Sequence, residues 1–176
     1  MELDKDDNLD DIPEPPKTLN SLKLHGRVHK LQVWIEQLHN LKKLKLDLTI
    51  AKPQELKDLH LSQPHVLHHL CIRPIEDGEV RIGRQLCARV VEIHCSSVLH
   101  LNFDDVPVFG ATQVLKVHFS GGSGSSLKEI SGLSKLRSLK EVWLKGYTDA
   151  HKQYVDTEIR KMNLLPSQER PVLKLV

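Results

Sequence analysis

Between Leu38 and Leu46 the chain reads Leu38-His-Asn-Leu41-Lys-Lys-Leu44-Lys-Leu46, a leucine at every third position and then one two residues on. The closing Leu44-Lys45-Leu46 alternates with period two, so it reads as a short strand with its leucines on one face and Lys43, Lys45 and Asp47 on the other. The leucines before it curl in from a loop. A unit this short cannot bury its own leucines, so it implies neighbours of the same kind stacked against it.

Neighbours are present. Leu19-Asn-Ser-Leu22-Lys-Leu24 stands in the same register upstream. Weaker copies follow at Leu67–Ile72, Ala88–Ile93, Thr112–Val117, Leu139–Leu144 and Leu173–Leu175. Aligning Leu22, Leu44, Leu70, Val91, Leu115, Val142 and Leu173 gives steps of 22, 26, 21, 24, 27 and 31 residues. The first five fall in the range of roughly 20–29 residues of leucine-rich repeats, and the last needs an insertion. The expected architecture is an α/β solenoid of leucine-rich-repeat type. A curved parallel β-sheet forms its concave side, and irregular and short helical segments form its convex side. Residues 18–176 make up this domain, in about six to seven irregular repeats.

The stretches between the copies are consistent with that reading. Val28, Leu31, Trp34, Ile35 and Leu38 recur at steps suited to a short helical return, and Pro53 opens another that ends near Leu61. Val80–Ile82 and Val98–Phe103 read as short convex-side strands, and Gly121–Ser126 as a flexible loop. From Asp149 to Leu165 the pattern is helical, with Tyr154, Val155, Ile159 and Met162 on one side and Pro166 ending it. A strand over Pro171–Val176 follows. Helix and strand together are the expected C-terminal cap.

Composition narrows the classes. Aromatic residues make up only 4% of the chain, which suits a core of stacked aliphatic layers. No apolar run reaches the ~18 residues of a membrane span, so no transmembrane segment is expected. Met1-Glu-Leu-Asp-Lys-Asp-Asp7 has neither a basic n-region nor an apolar h-region, so no secretory signal is expected. Cys71, Cys87 and Cys95 are odd in number without CxxC spacing, and read as reduced thiols of a cytoplasmic or nuclear protein. Residues 1–17 carry a net charge of −5 against +2 for the whole chain. That leader is expected to be an acidic disordered tail or linker, or else an acidic arm lying on its own basic domain.

Catalytic and cofactor signatures are missing. Gly121–Ser126 lacks G-x-x-x-x-G-K-[ST], and no G-x-S-x-G, H-E-x-x-H or Cys/His signature occurs. His65, His68, His69 and Cys71 are the densest metal-ligand group. Strand alternation puts His68 opposite the other two, and no second ligand pair follows at zinc spacing. The expectation is a non-enzymatic protein with no cofactor and no metal.

The positions flanking the buried pairs predict three columns on the concave face. Lys23, Lys45, Cys71, Glu92, Lys116, Trp143 and Lys174 form the central one. Lys43, His69 and Glu141 stand in the column on one side of it, and His25, Asp47, Arg73, His94, His118 and Lys145 in the column on the other. Cations outnumber acids there, so the face is mildly basic, and Trp143 is its one large aromatic anchor. The candidate protein-binding residues are Lys23, Lys43, Lys45, Arg73, His94, Lys116, His118, Trp143 and Lys145. Without interleaved aromatics or an arginine stripe, nucleic acid is not an expected partner.

Several segments carry a family resemblance: Leu22-Lys-Leu-His-Gly-Arg27, Leu31-Gln-Val-Trp-Ile-Glu-Gln-Leu-His-Asn-Leu41, Val91-Glu-Ile-His-Cys-Ser-Ser97, Ser138–Gly146 and Arg170-Pro-Val-Leu-Lys-Leu175. Over roughly residues 18–176 the chain resembles the leucine-rich-repeat region of plant coiled-coil nucleotide-binding leucine-rich-repeat disease resistance proteins of the cereal type. Gln32 stands where that family usually has proline, residues 62–90 are degenerate, and the family's nucleotide-binding module is absent. The resemblance is thus to a C-terminal fragment of such a receptor. It implies recognition of a pathogen effector or host target protein, and autoinhibition through a receptor's nucleotide-binding module. The alternative from the residues alone is a stand-alone intracellular leucine-rich-repeat adaptor or scaffold for a signalling protein.

Overall fold

The computed structural model describes residues 17–27, 38–52, 54, 56, 66–83, 88–96, 98–103, 111–120, 126–162 and 169–176. Residues 1–16 of the acidic leader, the helical return expected over 28–37, most of the one expected from Pro53 to Leu61, Cys87 and the glycines of 121–125 lie outside them. The strands in chain order are β1 (Ser21–Arg27), β2 (Lys43–Ile50), β3 (Leu67–Pro74), β4 (Gly78–Arg81), β5 (Val90–Cys95), β6 (Val98–Asn102), β7 (Val114–Phe119), β8 (Ser126–Ser131), β9 (Glu141–Lys145) and β10 (Val172–Leu175). Helix α1 spans Asp149–Arg160.

Seven of these strands form one sheet in the order β1-β2-β3-β5-β7-β9-β10, and β4-β6-β8 form a second. Every pairing is parallel. The chain therefore climbs one strand of the large sheet at a time, and over three successive turns also adds a strand to the small one. This is the expected solenoid, and each aligned copy of the leucine motif supplies one strand of the large sheet.

Alternation places one face of each strand in the core. In β2 the residues Leu44, Leu46, Leu48 and Ile50 are buried, and in β5 and β7 the residues Val91, Ile93, Leu115 and Val117 are fully buried. Val80, Leu99 and Leu101 of the small sheet, with Phe103 just past β6, join the same apolar cluster. The core thus lies between the two sheets, layered turn upon turn. Between strands, the turn backbones continue the ladder: Lys42 N–H donates to Asn20 O, Gln113 N–H to Arg89 O, and Lys140 N–H to Gln113 O.

Two bulges set local registers that simple alternation does not show. Across β2 and β3, Leu44 pairs with Leu67, but Lys45 pairs with His69, so His68 is the extra residue. Leu67 and Leu70, three apart, thereby both face the core, while His68 and His69 are both half-buried. This corrects the alignment of Leu44 with Leu70: Leu46 is the partner of Leu70. A run of leucines at every second position matches its neighbour equally well after a slip of two, so spacing alone cannot choose. The second bulge lies between β6 and β8, where Leu99 pairs with Leu127 but Leu101 with Ile130. It explains why β8 has no alternating signal, and it corrects the loop expected to run through Ser126, which is the first residue of that strand.

Helix α1 starts at Thr148, whose hydroxyl accepts the His151 N–H while the His151 ring accepts the Thr148 N–H, a reciprocal cap. Val155 and Ile159 are its buried side, and the Tyr154 hydroxyl accepts the Ile130 N–H of β8 at 2.8 Å. The helix packs on β8 and on the 3-10 turn Leu133–Lys135, closing the end of the small sheet. It stops at Arg160 rather than near Leu165. The Met162 N–H returns to Ile159 O in a tightened last turn, and the Arg170 guanidinium donates to the carbonyls of Ile159 and Arg160. Strand β10 then pairs with β9 and forms the edge of the large sheet, with Val172 and Leu175 exposed.

Candidate functional site

The face of the large sheet opposite the core is the concave face of the solenoid. All nine candidate residues lie on its strands: Lys23 on β1, Lys43 and Lys45 on β2, Arg73 on β3, His94 on β5, Lys116 and His118 on β7, Trp143 and Lys145 on β9. The columns differ from those expected. The first two strands move by one pair of positions relative to the rest, because of the bulge at His68. The actual row through Lys45 is Lys23–Lys45–His69–Val90–Val114–Glu141–Val172. The next row is His25–Asp47–Cys71–Glu92–Lys116–Trp143–Lys174. Lys23 and Lys45 therefore do not share a column with Lys116. Two carboxylates, Asp47 and Glu92, occupy the centre of the face instead of a continuous basic field.

Asp47 is the first centre. The Arg73 guanidinium donates to both its oxygens, at 3.0 and 3.2 Å, and His25 Nδ1 lies 2.9 Å from Oδ2. Burial raises its pKa, but the hydrogen bonds from Arg73 and the Cys71 thiol, with the charge of Arg73, outweigh that and hold it below its ordinary value. Cys71, from the same row, is buried. Burial first, and the Asp47 charge next, push its thiol far above the usual range, so it stays protonated and is a poor nucleophile.

Glu92 is the second centre. His69, His94 and His118 bring their Nε2 atoms to 3.2, 3.0 and 3.3 Å from its carboxylate. The His94 and His118 rings stack at 4.5 Å between centroids. Hydrogen bonds from His69 and His94 come first among the causes that hold Glu92 strongly ionised. His118 is itself shifted down, by burial first, with the Glu92 charge opposing that shift. Sequence reasoning placed these residues on the face but did not single out Glu92. The available signal was three histidines and one acid at outward positions of three successive strands.

Trp143 anchors the third group. Its indole N–H donates to Glu141 at 2.7 Å, Lys174 Nζ lies 2.7 Å from the other Glu141 oxygen, and the ammonium groups of Lys116 and Lys174 sit over the ring at 5.2 and 4.9 Å. The ring is half-buried between two cations rather than standing free. The face as a whole offers fixed, paired charges, with the exposed Lys43 and Lys145 at its margins. A pocket of about 210 Å³ opens among Lys45, Asp47, His69, Cys71, Arg73 and Glu92.

Neither a family model nor a solved structure matches the chain. Disease resistance protein Pik-2 and Disease resistance protein Pikm2-TS, both of Oryza sativa subsp. japonica, are each 25% identical to it over 159 residues. The matched stretch is 78% of this chain and 15% of each of those proteins, so the chain spans about 15% of the length of the curated relatives it matches. The similarity relates this solenoid to a region of plant disease resistance proteins. No helix among the described residues is long and apolar enough to cross a membrane.

Proposed function

We propose that this chain is a non-enzymatic protein-interaction domain of plant defence signalling. In this reading its concave face binds either a pathogen effector, a host target, or the nucleotide-binding module of an immune receptor that it holds inactive, in the cytoplasm or nucleus. One observation carries the reading: a parallel solenoid with a charged, Trp143-bearing face occurs in a chain similar to rice disease resistance proteins. The protonated Cys71 thiol and the paired state of Asp47 and Glu92 fit recognition better than chemistry.

The test is a pull-down of the nucleotide-binding module of a rice disease resistance protein by this chain, with and without Lys45→Glu/Lys116→Glu and Trp143→Ala. Capture that the Lys substitutions abolish and that Trp143→Ala shortens in lifetime supports the reading. Capture unaffected by all three substitutions moves the binding surface to the loops or to the small sheet. There, Glu79, Asn102, His100 and Glu129 line a groove of about 510 Å³.

A further inference from the structure

We propose that Cys71, Glu92 and His94 form a binding site for a single divalent transition-metal ion of the zinc class. Cys71 and Glu92 are direct partners across β3 and β5, and His94 follows Glu92 on the same face. One ligand atom from each lies within 4.8 Å of the other two. Tetrahedral zinc, with bonds of about 2.0–2.3 Å, sets its donors roughly 3.3–3.8 Å apart. Side-chain rotation of Glu92 and Cys71 covers the difference without moving the backbone, which two parallel ladders hold.

The donor set is the right chemistry. A thiolate, an imidazole and a carboxylate are the side chains zinc takes, and the thiol disfavours magnesium or calcium. Supporting contacts are also in place: His94 stacks on His118, and His69 stands on the far oxygen of Glu92. The pocket beside Cys71 gives an ion a way in and leaves its fourth position open to water, to His69 or to a donor from a partner protein.

Binding exchanges protons for metal. The Cys71 S–H bond breaks and its proton leaves to solvent, while the sulfur electron pair forms the metal bond. His94 offers the lone pair of one ring nitrogen, with its N–H on the other. Glu92 is already ionised. The Cys71 thiol therefore releases one proton for each ion bound.

The test titrates cobalt(II), then zinc(II), into the reduced, metal-free full chain. The expected result is one equivalent bound, a near-ultraviolet thiolate-to-cobalt band, and about one proton released. Cys71→Ser removes the band, and Cys71→Ser, His94→Gln and Glu92→Gln each weaken zinc binding at least tenfold. Cys95→Ser, deep in the core, leaves both readouts unchanged. Metal-free melting curves check that each variant folds. Absence of stoichiometric binding overturns the proposal, as does a cobalt spectrum without the thiolate band or zinc affinity that survives Cys71→Ser and His94→Gln. Should Cys71→Ser fail to fold, the wild-type cobalt spectrum with His94→Gln decides by the same criteria.

Discussion

Arg73 grips both carboxylate oxygens of Asp47, yet its partner in the sheet is Thr49, two residues further along β2. The guanidinium reaches back one row because the bulge at His68 has advanced β3 relative to β2. The resulting fork ties the first two turns to the third on the side away from the core. Arg73→Lys keeps the charge and loses the fork. Both side chains are partly exposed, so solvent screening limits the cost to about 1 kcal/mol. Urea denaturation should show that loss; an unchanged midpoint would mean the pair contributes nothing.

Leu44 is wholly buried between Leu22 and Leu67, and Lys45 points away from the core. Leu44→Ala should cost about 2–5 kcal/mol, through lost burial and the cavity left behind. Lys45→Ala should stay within about 0.5 kcal/mol. Equal losses would mean that the faces of β2 are assigned the wrong way round.

Gly146 has φ +66°, and a Cβ there would run into the carbonyl oxygen of Phe119 on the neighbouring turn. Backbone cannot yield as a flexible side chain can. Gly146→Ala should destabilise by about 2–3 kcal/mol. The Phe119–His151 ring stack beside it, at 4.1 Å, should loosen, visible as changed aromatic signals in proton spectra.

His151 has its pKa lowered from 6.5 by burial, and its neutral ring accepts the cap hydrogen bond from Thr148. The unfolded chain therefore takes up this proton first as pH falls. The contribution is fully present above about pH 6.5 and is lost progressively below it. His151→Gln keeps a reciprocal cap without a titrating ring. Its melting temperature should fall less than the wild type's between pH 7 and 5; parallel curves would remove His151 from the pH dependence.

Trp143 is held by Glu141 and flanked by Lys116 and Lys174, so it is already positioned to receive an apolar or acidic group. Trp143→Ala should raise the off-rate of a concave-face partner at least tenfold with little change in on-rate. Lys116→Ala should act mainly on the on-rate and lose its effect at high salt. Surface plasmon resonance at two salt concentrations separates the two.

The repeat rhythm, the parallel large sheet, the convex strands at Val80 and Leu99 and the helix after Asp149 were all legible in the chain. Each rests on a local pattern, period two or period 3.6, that sterics impose on any backbone of that shape. Strand β8 was not legible. Its buried Leu127 and Ile130 are three apart, and only the bulge against β6 turns both inward.

The outward faces of individual strands were set by local alternation, so the nine candidate residues could be placed on one side from sequence alone. Which of them are neighbours was decided by tertiary pairing. The run from Leu44 to Ile50 fits β3 in two registers that bury the same leucines. A single extra residue, His68, selects the one that sets Asp47 beside Cys71 and Arg73. Core burial is indifferent to a slip of two, whereas charges on the open face are not. The fold was therefore readable from hydrophobic spacing, and the chemistry of its surface from the register alone.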